Sequence, residues 1–131
     1  MILLDWDALL LWTSGSRKLP PRVHRLIDKH AAEQSVLISA LTLAQVGDRV
    51  RDGSIELSIG TGQWADAVAS IPGIRIIPMS GAIASRIARM EDGPEEFADR
   101  IIVATAQNSG AAIVSGNSAL RRWCAAKGWF G

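Results

Sequence analysis

The apolar residues of this chain fall into two patterns that alternate along its length. Ile2-Leu3-Leu4, Val36-Leu37-Ile38 and Ala112-Ile113-Val114 are unbroken apolar runs too short for helices. They read as strands buried on both faces, as parallel sheets require. Ile74 to Ile77 makes a further strand, set off by Pro72-Gly73 and ended by Pro78. Between the strands the spacing becomes helical. Asp7 stands at an N-cap position ahead of a short helix over 8–12, which Thr13-Ser14-Gly15-Ser16 breaks. Pro20-Pro21 open a helix carrying Val23, Leu26, Ile27 and Ala31. Ser39 caps a helix running to about Arg51 and stopped by Gly53, and Ser80 caps one lined by Ile83, Ile87 and Met90. Pro94 suits the first turn of the next helix, with Phe97, Ile101, Ala104 and Thr105 inward and Gly110 as its stop. A last helix after Gly116-Asn117 carries Leu120, Trp123 and Cys124, and Trp129-Phe130 adds a short edge strand. Strands alternating with helices predict an α/β protein, a three-layer α/β/α sandwich around a mostly parallel sheet. No repeat or linker interrupts the pattern, so residues 1–131 form one domain.

Composition narrows the function classes. With 14 basic and 13 acidic residues the net charge is +1, so any attraction to a polyanion must be local. A single cysteine, Cys124, excludes an internal disulfide and fits a reducing compartment; on the apolar side of its helix it reads as core filler. Asp5 and Asp7 interrupt the apolar start too early for a signal peptide or membrane span, so a soluble, cytoplasmic protein is expected. Gly60-Thr61-Gly62 lacks the third glycine and flanking strand of a dinucleotide fingerprint, which disfavours a nucleotide-binding domain of flavodoxin-like topology. His24 and His30, six apart, sit on different sides of their helix and share no metal.

The chemistry is expected where strands end, because open α/β sheets bind ligands at their carboxyl edge. Strand 1 delivers Asp5, strand 2 Ser39, and strand 4 Ser115-Gly116-Asn117. A carboxylate directly after an all-apolar strand is desolvated, and a cation or donors must compensate it. Glu91, Asp92, Glu95, Glu96 and Asp99 put five carboxylates into nine residues without a cation. Helix-dipole complementation explains Glu95 and Glu96. It explains Asp99 less well, because Asp99 lies beyond the first turn and beside inward-facing residues. Glu96 and Asp99, three apart, share a face, and converging carboxylates call for a hard divalent ion. Two basic stretches flank this acidic centre. Arg17, Lys18, Arg22 and Arg25 form one, and Arg121, Arg122 and Lys127 the other. Together they suit a phosphodiester backbone held over a metal.

The order and spacing of several segments carry a resemblance. They are Ile2-Leu3-Leu4-Asp5-x-x-Ala8-Leu9-Leu10-x-Trp12, Leu37-Ile38-Ser39-Ala40-Leu41-Thr42-Leu43, Pro72-Gly73-Ile74-Arg75 to Pro78, Ala98-Asp99-Arg100-Ile101-Ile102-Val103-Ala104-Thr105-Ala106, and Ala112-Ile113-Val114-Ser115. Over essentially its whole length the chain resembles the PIN-domain ribonucleases, specifically the VapC-like toxins of toxin–antitoxin pairs. The resemblance implies a PIN-like fold, cleavage of RNA with Mg²⁺ or Mn²⁺ held by about four acidic residues, a small antitoxin partner that blocks the acidic pocket, and a homodimer. By position the acids fall on Asp5, Gln45, Asp99 and Asn117, so the second and fourth are amides here; Glu96 matches an acid common three residues before the third. The segment after Asp5 also departs, with Trp6-Asp7 where the family commonly has Thr or Ser and then His or Asn. The implied metal ligands are Asp5, Asp99, Glu96 and Asn117. An amide oxygen ligates only as a neutral group and its NH₂ not at all, so the same resemblance implies, as its alternative, a degraded site that keeps RNA or antitoxin binding without cleavage.

Overall fold

Each strand of the sheet is three or four residues long: β1 (Ile2–Leu4), β2 (Val36–Ser39), β3 (Ile74–Ile77) and β4 (Ala112–Val114). All pairings are parallel, in the order β3-β2-β1-β4, with Leu3 level with both Leu37 and Ile113. The computed structural model describes residues 1–129.

The two-residue period of the strands divides the core in two. Ile2, Leu4, Val36 and Ile38 point to one face, where they meet Leu9, Val23, Ile27, Val46, Trp64 and Val68. Those side chains come from α1 (Trp6–Thr13), α2 (Pro21–Ala32), α3 (Ala40–Arg51) and α4 (Thr61–Ala69). Leu3, Leu37 and Ile113 point to the other face, against Ile102, Val103 and Ala106 of α6 (Phe97–Ser109). The helix α5 (Gly81–Ala88) packs beside α6. Helices therefore cover both faces of the sheet, and the three-layer α/β/α sandwich expected from the alternation is the architecture observed. Burial on both faces is why the strands read as continuous apolar runs rather than alternating ones. Residues 101–106 of α6 are all buried, so the middle of this helix is enclosed on every side while its ends are exposed.

Local chemistry sets most of the boundaries. Ser39 and Ser80 cap α3 and α5 by accepting backbone N–H bonds from Leu41 and Ile83. Gly110 ends α6 in the left-handed region at φ 68°. Gly73, at φ 89°, lets the chain turn into β3 against the backbone of Ala31, where any Cβ would collide with the Ala31 carbonyl.

Several expectations are corrected. The first helix begins at Trp6 and its N-cap is Asp5, not Asp7. Pro94 precedes α6 instead of opening it; Glu96 is the N-cap, and Phe97 is 59% exposed. The chain after Asn117 forms only a 3₁₀ turn (Ser118–Leu120), because Cys124 and Ala125 take positive φ angles that end helical geometry. Cys124 is half-buried, on no helix, with its thiol directed at the Val103 carbonyl and its pKa raised by burial. The edge addition to β4 is a single parallel bridge at Lys127 rather than at Trp129; Phe130 lies outside the described residues. The helix α4 has no counterpart in the periodicity reading, although Trp64 and Val68, four apart, form its buried stripe.

Candidate active site at the ends of β1 and β4

Successive strands step from β1 to β2 to β3 in one direction, and β4 is laid on the opposite side of β1. The order reverses between β1 and β4, and there the connections leave in opposite directions and open a crevice. Asp5 exits β1 at this point and its N–H is bonded to the Val114 carbonyl of β4 (3.0 Å).

Asp5 is only 3% exposed. One carboxylate oxygen accepts the N–H of Trp6 (2.9 Å) and the other the hydroxyl of Ser115 (3.0 Å). Burial, reinforced by the nearby negative charges of Asp7 and Asp99, raises its pKa from 3.8 to about 6 against those two hydrogen bonds. Asp7 folds back onto the β4 exit loop. It accepts the N–H of Ala8 (2.7 Å) and the N–H of Gly116 (2.9 Å), and burial raises its pKa too. Only glycine fits at 116, because a Cβ would lie 2.9 Å from the Asp7 carboxylate and 2.8 Å from the Trp129 indole.

Asp99, expected beyond the first turn of its helix, lies in the first turn of α6, which starts at Phe97, and reaches the same crevice from there. Burial raises its pKa, and the negative charge of Glu96 adds to the rise. Asn117 links the β4 exit to Asp99 on α6. Its carbonyl oxygen accepts the N–H of Ala119 (3.0 Å), which fixes the amide so that its NH₂ donates to Asp99 (3.2 Å). Asn117 was expected as a metal ligand through that oxygen. Here that oxygen accepts at the cap of the 3₁₀ turn and the NH₂ faces Asp99. Beside Asp99 a cleft of about 430 Å³ continues outward past Glu95, Glu96, Asp92 and Arg122.

Among the described residues no hydrogen bond joins Gln45 to this network. It lies in the middle of α3, and its carbonyl oxygen is buried without a hydrogen-bond partner among the described residues; the fully buried Thr42 hydroxyl, one turn earlier, is in the same condition. Glu96 is exposed at the rim. The basic groups are drawn together elsewhere. Arg22 donates to the carbonyl of Gly128 (3.2 Å), bringing the two basic stretches into contact, and Arg122 pairs with Asp92 (3.1 Å). Arg49 of α3 lies over the Trp6 ring at 4.0 Å. The sequence reading took Asp7 for a cap and gave Ser115 and Gly116 no specific partner. The one signal available was their place directly after a buried strand.

The donor set can be tested against a divalent ion. Among the described residues no three His, Cys, Asp or Glu side chains are grouped as a ready-made metal cage. A cage is what Ca²⁺ or Zn²⁺ sites use, whereas Mg²⁺ is held by one or two carboxylates and completed by water and substrate phosphate. Asp5 retains unused lone pairs, and one Asp99 oxygen has no partner among the described residues. Both carboxylates are held in raised-pKa environments, and neither is in an ion pair among the described residues. The residues fit a two-carboxylate Mg²⁺ or Mn²⁺ site.

Comparison with solved structures finds the same architecture. The chain is similar to a chain of a toxin–antitoxin complex from Klebsiella pneumoniae (20% identity, TM-score 0.68, 97% of this chain and 96% of that one). It is similar also to chains of FitAcB from Neisseria gonorrhoeae (23%, 0.64, 99% and 97%) and of VapBC2 from Rickettsia felis bound to a DNA fragment from their promoter (16%, 0.70, 99% and 100%). The fold is therefore PIN-like, as the sequence resemblance implied. No family model matches the sequence, and neither does any curated protein. Among the described residues no helix is long and apolar enough to cross a membrane.

Proposed function

We propose that this chain is the toxin of a toxin–antitoxin pair and a Mg²⁺- or Mn²⁺-dependent endoribonuclease of the PIN-domain type. The observation that carries the reading is Asp5, buried where the strand order reverses, its pKa raised by burial and by the nearby charges of Asp7 and Asp99, with no ion pair to any of the three among the described residues. Structural similarity to chains of toxin–antitoxin complexes supports the partner class, a small antitoxin, and the family resemblance adds a homodimer.

In this reading Asp5 and Asp99 hold the ion, with Glu96 at the rim. A bound divalent cation would supply charge neutralisation for the scissile phosphate and acidify an attacking water. The protein's own part is positional. The Trp6 N–H and Ser115 hydroxyl fix the Asp5 carboxylate, Asn117 fixes Asp99, and Asp7 ties the β4 exit loop to α1. Preorganised carboxylates need no rearrangement when phosphate arrives.

One observation favours a second reading, a binding module without cleavage. The Asn117 NH₂ already occupies one oxygen of Asp99, and Gln45 contributes no charge, so ion affinity falls below that of a four-carboxylate site. Incubation of the purified chain with single-stranded and structured RNA in Mn²⁺, beside Asp5→Ala, Asp99→Ala and the double variant Gln45→Glu/Asn117→Asp, separates the two. Cleavage by the unmodified chain that both alanine variants abolish supports the enzyme. Cleavage by the double variant alone supports the binding module. Inertness of all four proteins overturns the nuclease reading.

A further inference from the structure

A groove of about 600 Å³ lies between α5 and α6. Ser85, Arg86, Arg89, Asp92, Gln107 and Asn108 line it. Its charged side chains are Arg86, Arg89 and one carboxylate, Asp92, which is paired with Arg122. The side chain of Asn108 accepts from Nε of Arg86 at 3.3 Å, which holds the guanidinium and leaves its terminal nitrogens free. Neither Arg86 nor Arg89 has a carboxylate partner among the described residues. Asp92 also lines the cleft that contains Asp99, so groove and cleft adjoin at the Asp92–Arg122 pair.

From these features we infer that the α5–α6 groove binds the phosphodiester backbone of a single strand of RNA beyond the crevice, through Arg86 and Arg89. The inference rests on the proposed nuclease reading for its substrate class, but it concerns binding and not cleavage. Two arginines presenting free N–H forks suit phosphate oxygens. An acidic protein segment would suit the arginines equally, but continuity with the Asp99 cleft favours a ligand that spans both. From Asp99 to Asn108 the helix rises nine residues, about 14 Å at 1.5 Å each, more than a dinucleotide covers and well within a dodecamer.

The test is fluorescence anisotropy with a labelled single-stranded RNA dodecamer and a labelled dinucleotide in EDTA, where cleavage is silent, across a salt series. The proteins are the unmodified chain, Arg86→Gln/Arg89→Gln and Arg86→Lys/Arg89→Lys, each checked for unchanged thermal melting. Removing two phosphate contacts lowers the slope of log K against log salt by about 1.4 for a single strand. The glutamine pair is expected to show that loss with the dodecamer only, and the lysine pair to retain most of the slope. An unchanged dodecamer slope in the glutamine pair overturns this inference and leaves the nuclease reading standing. Loss of dodecamer binding without loss of cleavage of shorter RNA supports it. Failure of the unmodified chain to bind RNA at any salt overturns both.

Discussion

Replacing Asp5 by Asn tests the electrostatics of the crevice without changing its shape. The amide oxygen can keep the Trp6 N–H bond and the NH₂ can donate to the Ser115 hydroxyl, so the contacts survive while the charge goes. The Asp5 carboxyl is raised from 3.8 to about 6 in the folded protein, which corresponds to about 3 kcal/mol between its two protonation states. A raised folded-state pKa favours the protonated form. Its stabilising contribution is complete below about pH 3.8 and is lost as pH rises through about 6. Above that, wild-type protein carries a buried charge that Asp5→Asn lacks. In metal-free buffer the variant should therefore melt higher at pH 7.5 by roughly 10 °C, and the gap should close towards pH 4. Melting curves by circular dichroism at half-unit intervals of pH measure the gap directly. A gap that stays flat across pH 4 to 8, or a variant less stable at pH 7.5, would refute the claim that Asp5 is held as an uncompensated buried carboxylate.

Other consequences follow from packing. Gly116→Ala drives a methyl into the Asp7 carboxylate and the Trp129 indole, so it should cost about 1–3 kcal/mol in urea unfolding and sever the Asp7 anchor. Leu3→Ala opens a cavity between Leu37, Ile113 and α6, and an equilibrium unfolding loss of about 2–5 kcal/mol is expected. Arg122→Ala, by contrast, removes an exposed pair whose side chains are 69% and 79% accessible, and should change stability by less than about 1 kcal/mol.

The sheet was legible from residues alone because a doubly covered parallel strand needs apolar side chains on both faces, and Ile2-Leu3-Leu4 offers nothing else. Ser39, Ser80 and Gly110 marked helix ends for equally local reasons. What was misread depended on distant partners. Phe97 fits an inward-facing helical period but sits on the first turn of α6, where it is 59% exposed and the Arg100 guanidinium lies over its ring, at 5.7 Å. The helix α4 was hidden because its large apolar residues are few, Trp64 and Val68, and that stripe becomes meaningful only against the sheet. At the site, Asp5 and Asp99 could be singled out by position. The exchange of roles between Asp5 and Asp7, and the orientation of Asn117, follow from hydrogen bonds between segments more than 100 residues apart or across the crevice. Local spacing carries no record of those bonds.

The central claim is that the carboxylates gathered where β1 and β4 diverge are a seat for a divalent ion. Calorimetric titration of Mn²⁺ into the unmodified chain at pH 7.5, beside Asp5→Ala and Asp99→Ala, addresses it most directly. Saturable binding that each substitution weakens at least tenfold is the predicted result; no binding to the unmodified chain, or binding indifferent to both substitutions, would contradict it.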